Sequence, residues 1–160
     1  VAGAYAAASV VARGVLLIPT AVTTVLFPHV STLDDAARER RHLLGATVAT
    51  VAAALVPIGV LLLAGHRVVE LLFGARYGAA GSWVGPLAGA MGLYSVAFVY
   101  LFHSLSVGRT RFWLAAVPVL AAQLGAFVAF HDSARELIGV QLGAAAALAV
   151  VGEVYDRRTG

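Results

Sequence analysis

VLFPHVSTLDDAARERRHLLGATV, residues 25–48, sets a knot of charge between two long apolar runs. Six of the chain's nineteen charged residues fall between Asp34 and Arg41. In hydrocarbon every backbone polar group must be satisfied within the protein, so apolar runs stay helical and charged turns stay in water. The stretch therefore reads as a hairpin loop, residues 28–42, between two membrane-spanning helices. Asp34 and Asp35 ahead of Arg38, Arg40 and Arg41 also suit a short helix, with acid at its start and base at its end.

Composition supports a membrane chain. Of 160 residues, 61% are hydrophobic and 12% charged, with a mean hydropathy of +0.90. A soluble domain carries about 25% charged residues to solvate its surface. There is no cysteine, which excludes a disulfide scaffold and thiolate metal sites. Every basic residue is Arg, and the formal net charge is +3. The arginines form no single patch, so no nucleic-acid partner is expected.

A membrane-crossing helix needs about 20 mostly apolar residues. Five windows read as spans: 5–27, 43–65, 83–107, 112–130 and 137–153. The last is the shortest and holds Gln141. Phe112–Trp113 opens the fourth as an interfacial aromatic belt does, and Trp83 bounds the third. With five spans, one side of the membrane receives Arg38, Arg40, Arg41, Arg109, Arg111, Arg157 and Arg158. The other receives Arg67, Arg76 and Arg135. Arginine excess marks the cytoplasmic side, which puts the N-terminus outside and the C-terminus inside. An odd count and a first residue Val1 directly before a span lead to the expectation of a C-terminal portion, with an N-terminal bundle missing.

Few residues within the spans could act on a substrate. Arg13 is the one charge deep inside a span, where a guanidinium costs at least about 2.5–3.5 kcal/mol and so should face a cavity or partner. It either meets an anionic substrate or snorkels to the headgroups. Pro19, Pro57, Pro86 and Pro118 lie within spans; each removes a backbone donor and bends its helix. Gly85 with Gly89, and Gly139 with Gly143, have the four-residue spacing that lets membrane helices approach closely.

The hydroxyls of Thr20, Thr23, Thr24, Thr47, Thr50, Ser95 and Ser104 can bond to their own helices. Gln123 and Gln141 are the amides of the spans. His103, near the inner end of its span, suits a solvated or capping position. The five histidines have no metal-binding spacing. DDAAR, residues 34–38, lacks the second carboxylate pair of a phosphotransferase motif. With no nucleophile–base pair and no phosphate loop, neither an enzyme nor a cofactor is expected. Between the second and third spans, Val68, Val69, Leu71, Leu72 and Phe73 suit a short interfacial helix ending at Gly74.

AGAYAAASVVARGVLLIPTAVTTVLFPHVS, residues 2–31, resembles the first span of the second half of polysaccharide flippases, through Gly3, Tyr5, Arg13, Pro19, Pro28 and Ser31. Leu71–Ala79 resembles that family's outer connection, and Gly108–Arg111 its short basic turn. These flippases belong to the multidrug/oligosaccharidyl-lipid/polysaccharide exporter superfamily. The resemblance implies an all-α membrane protein, the C-terminal bundle of a two-bundle transporter. It further implies alternating access that carries a polyprenyl-pyrophosphate-linked oligosaccharide across the cytoplasmic (inner) membrane, with Arg13 on the pyrophosphate. The implied partners are that lipid-linked glycan, membrane lipids and the N-terminal bundle. A cation-coupled multidrug exporter of the same superfamily and a membrane-embedded glycan ligase or polymerase are the alternatives. The first usually has acids deep within its spans, and the second needs a large outer loop.

Overall fold

The computed structural model describes residues 2–18, 21, 36–109 and 111–159. Every element among the described residues is helical, and none is a strand. Helix α1 is Ala2–Arg13 and passes into a 3₁₀ turn at Gly14–Leu16. Helix α2 is Ala36–Phe73, α3 is Gly81–Ser106, α4 is Phe112–Ala129 and α5 is Ala134–Thr159. The chain is an all-α membrane protein. Four helices are long and apolar enough to cross a membrane, and a shorter apolar one stands at the N-terminal end.

Helix α2 corrects two expectations. Residues 36–42, read as loop, form its first two turns. Ala36, Ala37, Arg38, Glu39, Arg40 and Arg41 are strong helix formers, and nothing among them interrupts the ladder. The rest of that loop, with Asp34 and Asp35, lies outside the described residues. At the other end, residues 66–73 continue the same helix rather than forming a separate interfacial one. Gly74 stops it at φ +90°, a backbone conformation suited to glycine. Thirty-eight residues make a rod of about 57 Å, far beyond the ~30 Å hydrocarbon core. Both ends therefore stand in the interfaces.

Helix α3 is the hub. It packs against α1, α2 and α5, while α4 lies at the edge against α5. Val84, Leu87, Ala88, Met91, Val99 and Tyr100 of α3 are all buried. One apolar cluster joins Val84, Leu87, Ala88 and Met91 to Ala8, Ala12 and Val15 of α1 and to Leu61 and Val69 of α2. A second joins Leu43, Ala97, Val99, Phe112, Ala116 and Leu148 across α2–α5. Outside these seams the surface is apolar: Leu63 is 92% exposed and Val128 77%. In water such a surface would be costly; against lipid tails it is solvated.

The closest helix contact is built on glycine. A Cβ on Gly81 would sit 2.3 Å from the Cα of His66, and one on Gly85 would sit 2.5 Å from Leu62 Cδ2. Only hydrogen lets α3 lie this near α2, where dispersion contacts supply the adhesion that lipid does not. The four-residue pair is thus Gly81 with Gly85. Gly89, Gly139 and Gly143 have open space where a Cβ would be. On α5 it is Gly152 that fits closely, since a Cβ there would meet the Tyr100 ring at 2.8 Å.

Ion pairs join the start of α2, the end of α3, the α3–α4 turn and the end of α5. The opposite end gathers the Ala75–Ala80 3₁₀ turn and the start of α1, where a Cβ on Gly3 would lie 3.9 Å from Tyr77. Successive helices therefore alternate in direction.

Candidate functional site

Arg13 closes the α-helical part of α1. Ala8, Ala12 and Val15 turn inward from this stretch and are buried. Arg13 and Gly14 are exposed. From Gly3, at the end of the bundle, the guanidinium-bearing residue stands ten positions down the helix, or about 15 Å. That is half the thickness of the hydrocarbon core. No ion pair to Arg13 occurs among the described residues.

The backbone tightens at this point. Gly14–Leu16 adopts 3₁₀ geometry, and the Leu17 N–H bonds to the carbonyls of Gly14 and Val15. Such a change within a helical segment marks strain or a hinge. Beside it runs an apolar groove lined by Val11, Gly14 and Val15 of the α1 segment and by Val56, Pro57, Val60, Leu61 and Val68 of α2. The arrangement offers one exposed cation next to an apolar groove.

Of the four prolines, the structure brings one to this groove. Pro57 lies within α2, and its missing N–H cannot bond the Ala53 carbonyl. Pro86 in α3 and Pro118 in α4 are exposed on the outer faces of their helices. Pro19, like Thr20, Thr23 and Thr24, lies outside the described residues.

A second polar constellation sits at the end of the bundle that holds Arg38, Arg40 and Arg41. Glu39 Oε1 lies 3.1 Å from His103 Nε2 and 3.1 Å from an Arg109 guanidinium nitrogen. Asp156 accepts a hydrogen bond from Arg40 at 3.0 Å, and its other oxygen lies 3.6 Å from His103 and 3.7 Å from Arg109. Glu153 accepts from the Tyr100 hydroxyl and from Arg157, and it pairs with Arg40 at 3.3 Å. His103 is 1% exposed and Asp156 6%. His103 is therefore a buried, paired residue and not a solvated one.

Three carboxylates are met by three guanidinium groups in this network, so its charge closes without a metal. No cluster of His, Asp and Glu suited to a metal ion occurs among the described residues. The arrangement ties three helix ends and a turn together. Its signal in the sequence was the recurrence of acids, Glu39, Glu153 and Asp156, among the same-side arginines.

The hydroxyls of Thr47 and Ser95 donate to the carbonyls of Leu43 and Met91, each four residues back at 2.9 Å. They serve their own helices. Gln123 instead reaches across, donating to the Tyr94 hydroxyl at 2.7 Å and joining α4 to the middle of α3.

Residues 1–81 match the family model described as polysaccharide biosynthesis protein. No curated protein and no solved structure matches the chain.

Proposed function

Because this chain belongs to the polysaccharide biosynthesis protein family, we propose that it is one helix bundle of a flippase for polyprenyl-pyrophosphate-linked oligosaccharide. Its role lies in polysaccharide biosynthesis or export, and it is a multi-pass membrane protein. In this reading it sits in the cytoplasmic membrane with the C-terminus inside. A second bundle completes the transport path, and the two rock in alternating access.

The observation that carries the reading is the exposed guanidinium of Arg13 at mid-depth beside an apolar groove. A cation held there with no carboxylate partner among the described residues loses much hydration and gains little from them. A pyrophosphate passing through the membrane supplies the missing charge, and its prenyl chain can run in the adjoining groove. The α-to-3₁₀ change at Gly14 and the helix positions Pro57, Pro86 and Pro118, each lacking one backbone donor, are the points at which the bundle flexes. Transport alone makes or breaks no bond, so no catalytic group and no cofactor is required.

Depletion of the protein in its native cell tests this. Lipid-linked oligosaccharide should accumulate on the cytoplasmic leaflet while surface polymer is lost. Unchanged leaflet distribution and polymer would sink the reading and bring drug export forward.

A further inference from the structure

Arg41, Leu44, Val48, Val51 and Leu55 recur at alternating three- and four-residue steps and form one stripe along α2. All five are exposed: Leu44 by 43%, Val48 by 67%, Val51 by 41% and Leu55 by 62%, with Arg41 at the head. The packing face of α2 is a different one, held by Leu43, Ala46, Thr50 and Ala54. Arg41 also borders an open cleft of about 560 Å³ between the first turns of α2 and the last turns of α5. Ala37, Glu39, Arg40, Leu44, Asp156 and Arg157 complete its walls.

Charge and length together name an occupant. The cleft walls carry three arginines and two carboxylates, a surplus of one positive charge. Arg40 and Arg157 are engaged with Glu153 and Asp156, whereas Arg41 has no carboxylate partner among the described residues. A phosphodiester brings one negative charge. Leu55 stands eleven helical steps beyond Leu44, or about 16 Å, close to the ~15 Å depth of one leaflet's hydrocarbon. A free phosphate would use the cleft and ignore the stripe. A diacyl lipid uses both.

We infer that the α2–α5 cleft binds the headgroup of one anionic phospholipid of the cytoplasmic leaflet, with an acyl chain lying along Leu44, Val48, Val51 and Leu55. The leaflet follows from the orientation given under the proposed function. Binding itself is measured on purified protein, so it stands or fails separately from flipping.

The test is native mass spectrometry of the full chain in neutral detergent, titrated with phosphatidylglycerol or phosphatidylcholine. One phosphatidylglycerol should be retained in preference to phosphatidylcholine. Arg41→Gln should weaken it about fivefold, the worth of one arginine at an anionic surface. Leu44→Asn should weaken it too, whereas Arg158→Gln, on a different groove of α5, should leave it unchanged. Equal retention of the two lipids would overturn the inference. So would displacement by inorganic phosphate, or equal weakening by Arg158→Gln, which would mean diffuse charge. The lipid preference and the phosphate competition are read on the unmodified chain, so a variant that fails to fold does not spoil the test.

Discussion

At Asp156 one buried carboxylate serves three cationic or titratable groups, Arg40, Arg109 and His103. Removing one partner from a fully buried pair costs about 3–5 kcal/mol. Here the Arg40 side chain is 40% exposed and Arg109 23%, so water screens part of the loss. Asp156→Asn should therefore destabilise the protein by about 2 kcal/mol. In a thermal melt in detergent that lowers the midpoint by roughly 4–8 °C. Arg157→Ala removes only an exposed i,i+4 pair, which water screens, and should leave the midpoint nearly unchanged. Equal shifts for the two would refute the reading of Asp156 as the centre of the network. None of this cluster was legible residue by residue, because its partners lie 64 and 116 positions apart. Arg13 stands out in the sequence as the only charge in the middle of an apolar run, and its role rests on the proposed function.

For the helices as units, hydropathy located the runs and misjudged the ends. Residues 38–42 read as loop, 66–73 as a separate interfacial helix and those after 153 as a tail, yet all continue α2 or α5 into the interfaces. Helix formers hold a ladder whether or not they are apolar, so charge marked the membrane boundary and not the helix boundary. The glycine spacing misled for a different reason. A four-residue pair tells which glycines share a face, but not whether that face meets another helix. Gly81→Ala pushes a Cβ into the backbone of His66 and should cost about 1–3 kcal/mol. Gly139→Ala meets nothing within 4 Å and should gain up to about 1 kcal/mol from helix propensity. Denaturation of the two variants side by side decides which glycines hold the bundle; a cost at Gly139 would contradict the assigned faces.

In the molecule as a whole, the alternation of helix direction was readable from arginine counts, since the same bias that orients a membrane chain also collects its arginines at one end. The absence of cysteine makes the orientation easy to test. Single replacements Ala79→Cys and Arg158→Cys, both at exposed positions on opposite ends of the bundle, should behave differently. A membrane-impermeant maleimide added to intact cells should label Ala79→Cys and spare Arg158→Cys; the reverse pattern would invert the protein in the membrane. The central claim concerns Arg13, and the most direct measurement of it is flipping by the full-length protein in proteoliposomes loaded with lipid-linked oligosaccharide. The unmodified protein should expose the glycan to an external reagent. Arg13→Ala, reconstituted in equal amount, should slow this by about tenfold or more, the worth of a charge-assisted contact of 1.5–3 kcal/mol. Arg13→Lys should retain part of the rate. Flipping by Arg13→Ala at the unmodified rate, or none by the unmodified protein, would contradict the account.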